Sequence, residues 1–393
     1  MISRLRPEAS YWELLSAPAV FSSRKWCDEF ATLLTRELVL PNAPILTPSG
    51  RAALYYLFMS HPLEVVYLPA YTCWVVLEAA RLAGKEVVFL DVDYPGFDIP
   101  AEAYEGIRDR PGIVIATHQF GYPVDVAQLR RILDGCGHFI VEDCAGALFS
   151  QHRGQALGQL GDAAIYSFEM AKLWTIGGGA LVYRDPELNE RVRAEVDGKL
   201  RSSSSAATLL AILFRKLATE PVFYRWLLAL YLQRHEPTAG EQTGAPTLDR
   251  TYTTVFGNSQ ARLGMKLAKR IHAIVKQRRT LFDVYSGGIE GIQGLRPVPA
   301  PPQSAICPIR FPFLVEQGDK NIVYQAMRAR GVDLGFSFTY SLADEIRYPG
   351  AARIAREIMN LPVYSAITIE RAREILVSLR AVMYEKTNRS AWQ

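Results

Sequence analysis

The amino-acid sequence predicts an α/β fold, with a large domain built on a mostly parallel sheet and a smaller α+β domain at the C-terminal end. Between residues 47 and 185, short apolar runs alternate with helical segments. The runs are rich in β-branched residues and apolar on both faces, which is typical of parallel strands covered by helices on both sides. The alternation stops after residue 198, and 393 residues are enough for two domains.

The elements of the large domain follow from these patterns. Strands are predicted at 65–68, 86–91, 112–116, 138–142, 163–168 and 179–183. Helices are predicted within 8–38 and at 51–59, 74–83, 100–107, 126–134 and 185–196. Ligands of parallel sheets bind beyond the carboxyl ends of the strands. Residues that follow the predicted strands are therefore the first candidates for a site.

The C-terminal region has longer helical patterns and fewer strands. We predict a long helix at 259–285 ended by Gly287 and Gly288, a strand at 308–315, a helix at 320–330 ended by Gly331, and a last helix at 368–383. The predicted domain boundary lies near residue 250. It divides the chain into a large domain of residues 1–250 and a small domain of residues 251–393.

An apolar helical insertion is predicted at about 198–250, within the large domain. It contains apolar stretches at 206–214 and 222–232, followed at 236–249 by a predicted flexible loop rich in Thr, Gly, Pro and Gln. Both stretches are shorter than the ~20 residues that a membrane-spanning helix needs, and charged residues interrupt them. We favour buried helices or a helix pair at a subunit contact, with a helix lying on a membrane surface as the alternative.

The composition indicates a cytoplasmic protein that does not bind nucleic acid. Its 44 basic and 40 acidic residues give a net charge of +4, and the basic residues are scattered along the chain. The five cysteines lack the spacing of metal ligands, so we expect neither a metal site nor a disulfide framework. The N-terminal residues lack the apolar stretch of a secretion signal.

Lys172 and Asp143 are the candidate catalytic residues. Asp143 follows the predicted strand at 138–142, and Lys172 follows the predicted strand at 163–168 in a mostly apolar segment. This order suits a pyridoxal 5′-phosphate site, which needs an amine to bind the aldehyde and a carboxylate to keep the pyridine nitrogen protonated. Burial lowers the pKa of a lysine and so frees its amine. A solvated helix lysine and a helix-capping or surface carboxylate are the alternatives.

The turn formed by Ser49, Gly50 and Arg51 is the candidate phosphate site. It precedes a predicted helix, whose N-terminal N–H groups attract an anion. The helix dipole contributes at most about 2 kcal/mol, so charge-assisted hydrogen bonds of roughly 1.5–3 kcal/mol each must supply most of the binding. Ser167 is a further candidate through its hydroxyl group. A simple helix cap at Ser49 is the alternative.

Three further residues are candidates for contact with the cofactor. His118 follows the predicted strand at 112–116, at the same edge of the sheet as Asp143. Tyr71 or Trp74 would stack on the face of the pyridine ring. A structural histidine, and ordinary packing of one of the two aromatic residues, are the alternatives.

At these residues the chain resembles the DegT/DnrJ/StrS sugar aminotransferases, a family of fold-type-I pyridoxal-phosphate enzymes. The resemblance is carried by the segments SGRAAL (49–54), LPAYTCWVV (68–76), FLDVD (89–93), THQFGYPVD (117–125), VEDCAGA (141–147), LGDAAIYSFEMAKLWTIGGGALV (160–182) and LPVYSAITIERAREIL (361–376). It implies that Lys172 forms the Schiff base and that Asp143 faces the pyridine nitrogen. It also implies that Ser167 and the turn at 49–51 hold the phosphate, in a homodimer with sites at the subunit contact.

Several positions depart from the pattern of the family. Gly146 stands where the family usually has Gln or His, Glu169 where it often has His, and Cys73 where it has an aromatic residue. Near residue 253, where an asparagine of a partner subunit often reaches the phosphate, the chain has Thr253, with Asn258 as the candidate replacement. These departures bear on the identity of the substrate more than on cofactor binding.

The predicted function is transfer of an amino group from glutamate or glutamine to a keto sugar, with a nucleotide-linked sugar preferred, in polysaccharide or natural-product biosynthesis. One alternative is a fold-type-I transaminase or lyase that acts on a non-sugar compound, which the apolar insertion would suit. The other is a non-catalytic regulatory relative, an idea motivated by Gly146 and Glu169. The retained Lys172 and Asp143 favour catalysis.

Overall fold

The strands and helices of the computed structural model lie within residues 1–18, 24–169, 171–200, 205–234, 247–335 and 340–390, which are the residues described. The strands are β1 Ile45–Thr47, β2 Val65–Pro69, β3 Glu86–Leu90, β4 Ile113–Thr117, β5 Phe139–Asp143, β6 Gln151–His152, β7 Gln155–Ala156, β8 Ala163–Ser167, β9 Gly179–Tyr183, β10 Leu295–Pro297, β11 Ser304–Ala305, β12 Arg310–Val315 and β13 Ile358–Pro362. The α-helices are α1 Tyr11–Leu15, α2 Lys25–Glu37, α3 Gly50–Ser60, α4 Trp74–Leu82, α5 Ala101–Glu105, α6 Val126–Ile132, α7 Pro186–Lys199, α8 Ser205–Ala218, α9 Pro221–Arg234, α10 Arg250–Thr253, α11 Asn258–Ala268, α12 Ile271–Ile289, α13 Lys320–Ala329, α14 Pro349–Glu357 and α15 Ile369–Ser390.

The central sheet has the strand order β1-β9-β8-β5-β4-β2-β3. The strands from β8 to β3 in this order run parallel, and β9 and β1 join one edge in antiparallel pairing. The predicted mostly parallel α/β sheet is therefore confirmed, and its predicted strands lie within one residue of the observed bounds at either end. β1 escaped prediction because its three residues are too few to show a pattern.

The sheet brings the candidate residues to one edge because its parallel strands end in register. Thr117 at the end of β4 pairs with Asp143 at the end of β5. β4 is buried along its whole length, and β5 is buried after its first residue, Phe139. His118, which follows β4, and the residues that follow Asp143 on β5 therefore lie at the same edge of the sheet.

The predicted long helix at 259–285 is wrong, because the chain forms two helices there, α11 and α12. Buried residues of α11 and of the start of α12 pack in the core around the N-terminal helices, whereas Leu281 and Tyr285 pack in the core of the small sheet. α11 packs mainly against α2 and α8, whereas α12 packs mainly against α15, so the two helices on either side of the break have different packing partners. α12 also continues through Gly287 and Gly288. Gly288 lies against α15, where a Cβ would come 2.3 Å from Leu376, so a glycine suits this close contact.

The small C-terminal unit is built on the antiparallel sheet β10-β12-β13, covered by α12, α13 and α15. Ile2, at the start of the chain, belongs to its hydrophobic core and forms a bridge with Val332. The predicted boundary near residue 250 remains a prediction. The hydrophobic cores themselves separate within α12.

The insertion contains the two predicted helices, α8 and α9, and each buries only part of its surface. Leu209 and Ile212 are buried, whereas Leu210 is 65% exposed and Phe214 is 67% exposed. Neither helix is buried on all sides within this single chain, and the expected helix pair at a subunit contact remains a prediction. Most of the predicted loop at 236–249 lies outside the described residues, and no helix of the described ranges is long and apolar enough to cross a membrane.

Candidate active site

Asp143 is buried at the carboxyl end of β5. Its Oδ1 accepts the N–H of Ala145 at 3.0 Å, and its backbone carbonyl accepts the N–H of His118 at 3.1 Å. Burial raises the pKa of Asp143, while the Ala145 N–H and the charge of Lys172 oppose that rise. A buried carboxylate of this kind gains most from a cationic partner.

Lys172 lies in the loop between β8 and β9, and hydrogen bonds between backbone groups of the loop hold it closed. The N–H of Phe168 donates to the carbonyl of Gly178 at 2.9 Å, and the N–H of Gly177 donates to the carbonyl of Phe168 at 2.8 Å. Trp174 anchors the loop, since it is fully buried and its Nε1 donates to the carbonyl of Gly264 at 3.1 Å. The loop therefore holds the lysine in a defined place.

The electrostatic surroundings of Lys172 suit an amine nucleophile. Burial lowers the pKa of Lys172. Cys73 and Asp143 raise this pKa, and the positive charge of Arg310 lowers it further. The net direction is downward, which increases the fraction of neutral amine near pH 7. The structure thus brings Lys172 within electrostatic reach of Asp143, the residue with which the sequence paired it.

Two glycines shape the end of this loop. Gly177 and Gly178 have φ values of +73° and +90°, in the left-handed region that favours glycine. A Cβ on Gly178 would come 2.4 Å from the ring of Phe256. The glycines therefore allow the loop to pass close to a neighbouring aromatic ring.

The predicted phosphate turn lies against Ser167. A Cβ on Gly50 would be 2.8 Å from Cβ and 3.0 Å from Oγ of Ser167, so glycine keeps the N-terminus of α3 close to that hydroxyl group. Ser49 Oγ accepts the N–H of Ala52 at 3.1 Å and donates to the carbonyl of Thr251 at 2.7 Å. The side chain of Ser49 is thus the helix cap that the sequence offered as the alternative, which leaves the backbone of the turn and Ser167 to meet an anion.

Arg51 and Trp74 contact each other. The guanidinium carbon of Arg51 lies 5.3 Å from the centre of the Trp74 ring, and its Nη1 lies 3.6 Å from Glu78 Oε1. The side chain of Arg51 therefore already has partners other than an anion, and a phosphate contact remains a prediction for its backbone.

Tyr71 packs in the core. Its ring is 1% exposed and stacks on Phe97, with ring centres 5.7 Å apart and planes 9° from parallel. Trp74 is only partly buried, and its backbone N–H donates to the hydroxyl of Tyr340 at 3.1 Å. Of the two aromatic candidates, Trp74 is the one with a free surface to offer a ligand.

His118 has a structural hydrogen-bond network around both ring nitrogens. Nδ1 accepts the N–H of Val124 at 3.0 Å, which assigns the ring proton to Nε2, 3.0 Å from Glu142 Oε2. Glu142 also accepts backbone N–H groups from Gly158, Leu160 and Gly161. This is the arrangement of the structural histidine that the sequence left as the alternative, and contact between the imidazole and the cofactor remains a prediction.

Sequence reasoning did not single out Arg310 or Tyr340 as site residues. Arg310 is buried at the start of β12, and its charge acts on both Lys172 and Cys73. A signal was present in the sequence, because Arg310 is the only charged residue in the run PIRFPFLV at 308–315. Tyr340 gave no such signal, since only the fold carries it to Trp74.

The donor set fits pyridoxal 5′-phosphate. Lys172, whose pKa is lowered, and the buried carboxylate of Asp143 interact electrostatically. The N-terminus of α3 lies beside the hydroxyl group of Ser167, and a Cβ on Gly50 would fill the space between them. Groups of this kind suit the aldehyde, the ring nitrogen and the phosphate of this cofactor. The fold and these residues suit the class of pyridoxal-phosphate-dependent aminotransferases.

Comparison with known sequences gives the family. Residues 28–380 match the sequence model of the DegT/DnrJ/EryC1/StrS aminotransferase family, and the chain belongs to that family. The resemblance that the sequence motifs indicated is thereby confirmed.

Relatives and solved structures match along most of the chain. The dTDP-3-amino-3,4,6-trideoxy-alpha-D-glucose transaminase of Streptomyces venezuelae is 25% identical over 334 residues, 81% of this chain and 76% of that protein. The pleiotropic regulatory protein of Geobacillus stearothermophilus is 24% identical over 329 residues, 80% of this chain and 77% of that protein. The crystal structure of the aminotransferase TlmJ from Streptoalloteichus hindustanus has a TM-score of 0.75 and 22% identity, and the match covers 98% of this chain and 100% of that one. The last comparison shows that the fold is shared.

Proposed function

We propose that this protein transfers an amino group from glutamate or glutamine to a keto sugar, with a nucleotide-linked sugar as the first candidate. The observation that carries the proposal is the pairing of Lys172, whose pKa is lowered by burial, with the buried carboxylate of Asp143. The name of the Streptomyces venezuelae relative, a transaminase of a dTDP-linked sugar, supports the choice of acceptor. A role in polysaccharide or natural-product biosynthesis is part of the same proposal.

Each site residue has a defined role in binding the cofactor. Lys172 would bind its aldehyde, Asp143 would accept a hydrogen bond from its pyridine nitrogen, and Ser167 with the turn at Gly50 and Arg51 would hold its phosphate. Bound pyridoxal phosphate supplies an electron sink for the carbon that loses or gains a proton. Asp143 keeps that sink effective, because a carboxylate beside the ring nitrogen favours its protonated form.

Lys172 would also move the protons of the reaction. Once an incoming amine releases it, Nζ is free to take the proton from the α-carbon of the amino acid in the first half-reaction. In the second half-reaction it would deliver a proton to the former carbonyl carbon of the sugar. Its lowered pKa suits both directions, because an acid–base catalyst works best when its pKa is near the working pH.

The proposal is tested with protein loaded with pyridoxal phosphate. Borohydride reduction followed by peptide mass spectrometry should place the cofactor on Lys172. Glutamate or glutamine should then convert the loaded protein to its aminated form, and a nucleotide-linked keto sugar should convert it back. A covalent adduct on another lysine, or no conversion by any amino donor, would contradict the proposal.

Two alternatives have a specific observation in their favour. The exposed apolar residues of α8 and α9 would suit a non-sugar or lipid-linked substrate. The Geobacillus stearothermophilus relative is named as a regulatory protein, which would suit a non-catalytic role. A panel of small keto acids beside the keto sugars separates the first alternative, and failure of all donors to aminate the loaded protein favours the second.

We also propose a cytoplasmic homodimer. The family resemblance supports the dimer, and the exposed Val222 and Trp226 of α9, at 82% and 71% exposure, offer apolar surface of the kind found at subunit contacts. The five cysteines, all free in the structure, support a reducing compartment. Light scattering at micromolar concentration tests the dimer, and a monomer mass would exclude it.

A further inference from the structure

The inserted helices α8 and α9 expose apolar side chains. On α8, Leu210, Phe214 and Leu217 are exposed and are spaced so that they share one face of the helix. α9 follows after a connection at 219–220 and packs against α8, and its Val222 and Trp226 are exposed. A continuous exposed apolar surface marks an interaction site.

The short helix α1, which packs against α8, extends this surface. Trp12 is 76% exposed and Leu15 is also exposed, while Glu13 between them is buried. Tyr11 donates its hydroxyl to Glu220 at 2.6 Å, which ties α1 to the connection between α8 and α9. We call the exposed apolar side chains of the three helices the apolar face: Trp12, Leu15, Leu210, Phe214, Leu217, Val222, Phe223 and Trp226.

Polar side chains of the two inserted helices are directed at the protein. Lys216 of α8 is buried, donates to the carbonyl of Pro7 at 3.2 Å and lies 5.3 Å from the centre of the Tyr11 ring. Tyr224 of α9 donates its hydroxyl to the buried carboxylate of Asp333. These contacts hold both helices in place, with their apolar side chains on the outside.

The charges beside the apolar face are positive. Among residues 207–228, whose side chains the structure describes, the exposed residues are apolar except for Arg215 and Arg225. Glu220 is the acidic residue of this stretch, and it is partly buried and paired with Arg6. Its charge is therefore matched, and the two exposed arginines give the face a net positive charge.

The composition of this face favours a lipid surface over a protein partner. Interfaces between proteins carry about one hydrogen bond per 100–200 Å² of buried surface, which polar side chains supply. The exposed residues within 207–228 include no Ser, Thr, Asn, Gln, Asp or Glu. A helix on a bilayer surface needs apolar side chains on one side and basic side chains that reach the lipid phosphates.

We propose that the apolar face binds the surface of an anionic lipid membrane, with α8 and α9 lying along the headgroups. Phe214, Val222 and Trp226 enter the boundary between headgroups and acyl chains, a depth at which tryptophan is favoured. Arg215 and Arg225 extend from there to the lipid phosphates. The negative inner leaflet of a cell membrane suits the proposed cytoplasmic location.

Sedimentation with lipid vesicles tests the proposal. The loaded protein is mixed with vesicles of phosphatidylcholine alone, or of phosphatidylcholine and phosphatidylglycerol in equal amounts. We expect binding to the mixed vesicles to be about 10–30-fold stronger, from two basic residues at a negative surface. Arg215→Gln with Arg225→Gln should remove this preference, and added salt should reduce it. A protein that stays in the supernatant with both kinds of vesicle would overturn the proposal.

A second pair of substitutions tests the apolar contribution. Phe214→Gln with Trp226→Gln should weaken binding to the mixed vesicles about 10–100-fold, from the loss of two buried aromatic side chains. Both positions are exposed in the free protein, so the melting temperature should not change. The control, Met59→Gln with Ile346→Gln, removes exposed apolar side chains of other elements and should bind like the wild type. Equal binding by the wild type and the aromatic variant would refute the proposal.

Tryptophan fluorescence tests insertion directly. Lipids brominated on their acyl chains should quench the emission of the wild-type protein on binding, because Trp12 and Trp226 are exposed, whereas Trp174 is buried. Trp12→Phe with Trp226→Phe keeps aromatic rings and should still bind, with much less quenching. Binding of the wild type without quenching would show attraction by charge alone and exclude insertion of the apolar face.

Val222 and Trp226 also support the proposed dimer, and light scattering separates the two roles. If the wild type binds no vesicles and Phe214→Gln with Trp226→Gln turns a dimer into a monomer, a second copy covers the apolar face and the membrane proposal is wrong. If the substitutions abolish vesicle binding and leave the mass unchanged, the membrane proposal is supported. None of these measurements needs turnover, so the proposed aminotransferase activity stands or fails separately.

Discussion

Replacing Asp143 with asparagine separates cofactor binding from folding. The substitution keeps the shape of the side chain, and the amide oxygen still accepts the N–H of Ala145, which lies 3.0 Å from Oδ1. It removes the charge that would hold the protonated pyridine nitrogen. A hydrogen bond to a charged group contributes about 1.5–3 kcal/mol, so we expect the dissociation constant for pyridoxal phosphate to rise about 10–150-fold.

The cofactor-free variant should be as stable as the wild type or more stable. Burial raises the pKa of Asp143, which means that the folded protein holds the ionised carboxylate at a cost. Asparagine avoids this cost, so stability above the ordinary aspartate pKa should not fall. Fluorescence titration gives the affinity, and thermal unfolding without cofactor gives the stability. Unchanged affinity together with unchanged turnover would refute the role of Asp143.

Its sequence neighbour Glu142 provides a matched control with the opposite expectation. Burial opposes ionisation of Glu142, but His118 and the backbone N–H groups of Gly158 and Gly161 outweigh it and lower the pKa. A lowered pKa adds stability above the ordinary glutamate pKa that is lost as the pH falls through the folded value. Glu142→Gln should therefore unfold about 3–5 kcal/mol more easily at pH 7 and lose less stability in acid than the wild type. Equal stability of the two proteins at pH 7 would contradict the network.

Three further outcomes follow from the geometry. Gly178→Ala should destabilise the protein in urea unfolding by about 2–5 kcal/mol, because Gly178 has a positive φ and a Cβ there would overlap the ring of Phe256. Gly198→Ala in α7, where a Cβ meets no atom within 4 Å, should instead stabilise the protein by up to about 1 kcal/mol. Equal effects of the two substitutions would contradict the loop geometry. Glu8→Ala removes the carboxylate that pairs with the buried Arg278 and should lower the free energy of unfolding by about 3–5 kcal/mol in the same measurement. A decrease of less than about 1 kcal/mol would rule out a buried ion pair. Since burial lowers the pKa of Lys172, absorbance should show covalent attachment of pyridoxal phosphate with a pH midpoint below that of an ordinary lysine, and a midpoint at the ordinary value would exclude the buried site.

Local patterns predicted the large domain well because its strands are buried on both faces and its helices are short and separate. Such strands give unbroken apolar runs, and parallel strands end at one edge, which is why Asp143 and Lys172 could be paired from spacing alone. α11 and α12 were predicted as one helix because their sequence periodicity is continuous. The break between them goes with a change of packing partner, since α11 packs mainly against α2 and α8 and α12 mainly against α15.

The sequence by itself determined the sheet, the order of the candidate residues along it and the family pattern, since all of these depend on residues close together in the chain. The tertiary structure decided which candidates have side chains free to meet a ligand. Tyr71 stacks on Phe97, and His118 is bonded to Glu142. Arg4 forms an ion pair with the buried Asp333 at a sequence separation of 329 residues. Pairing between distant charges depends on how the domains pack, and no local pattern records it.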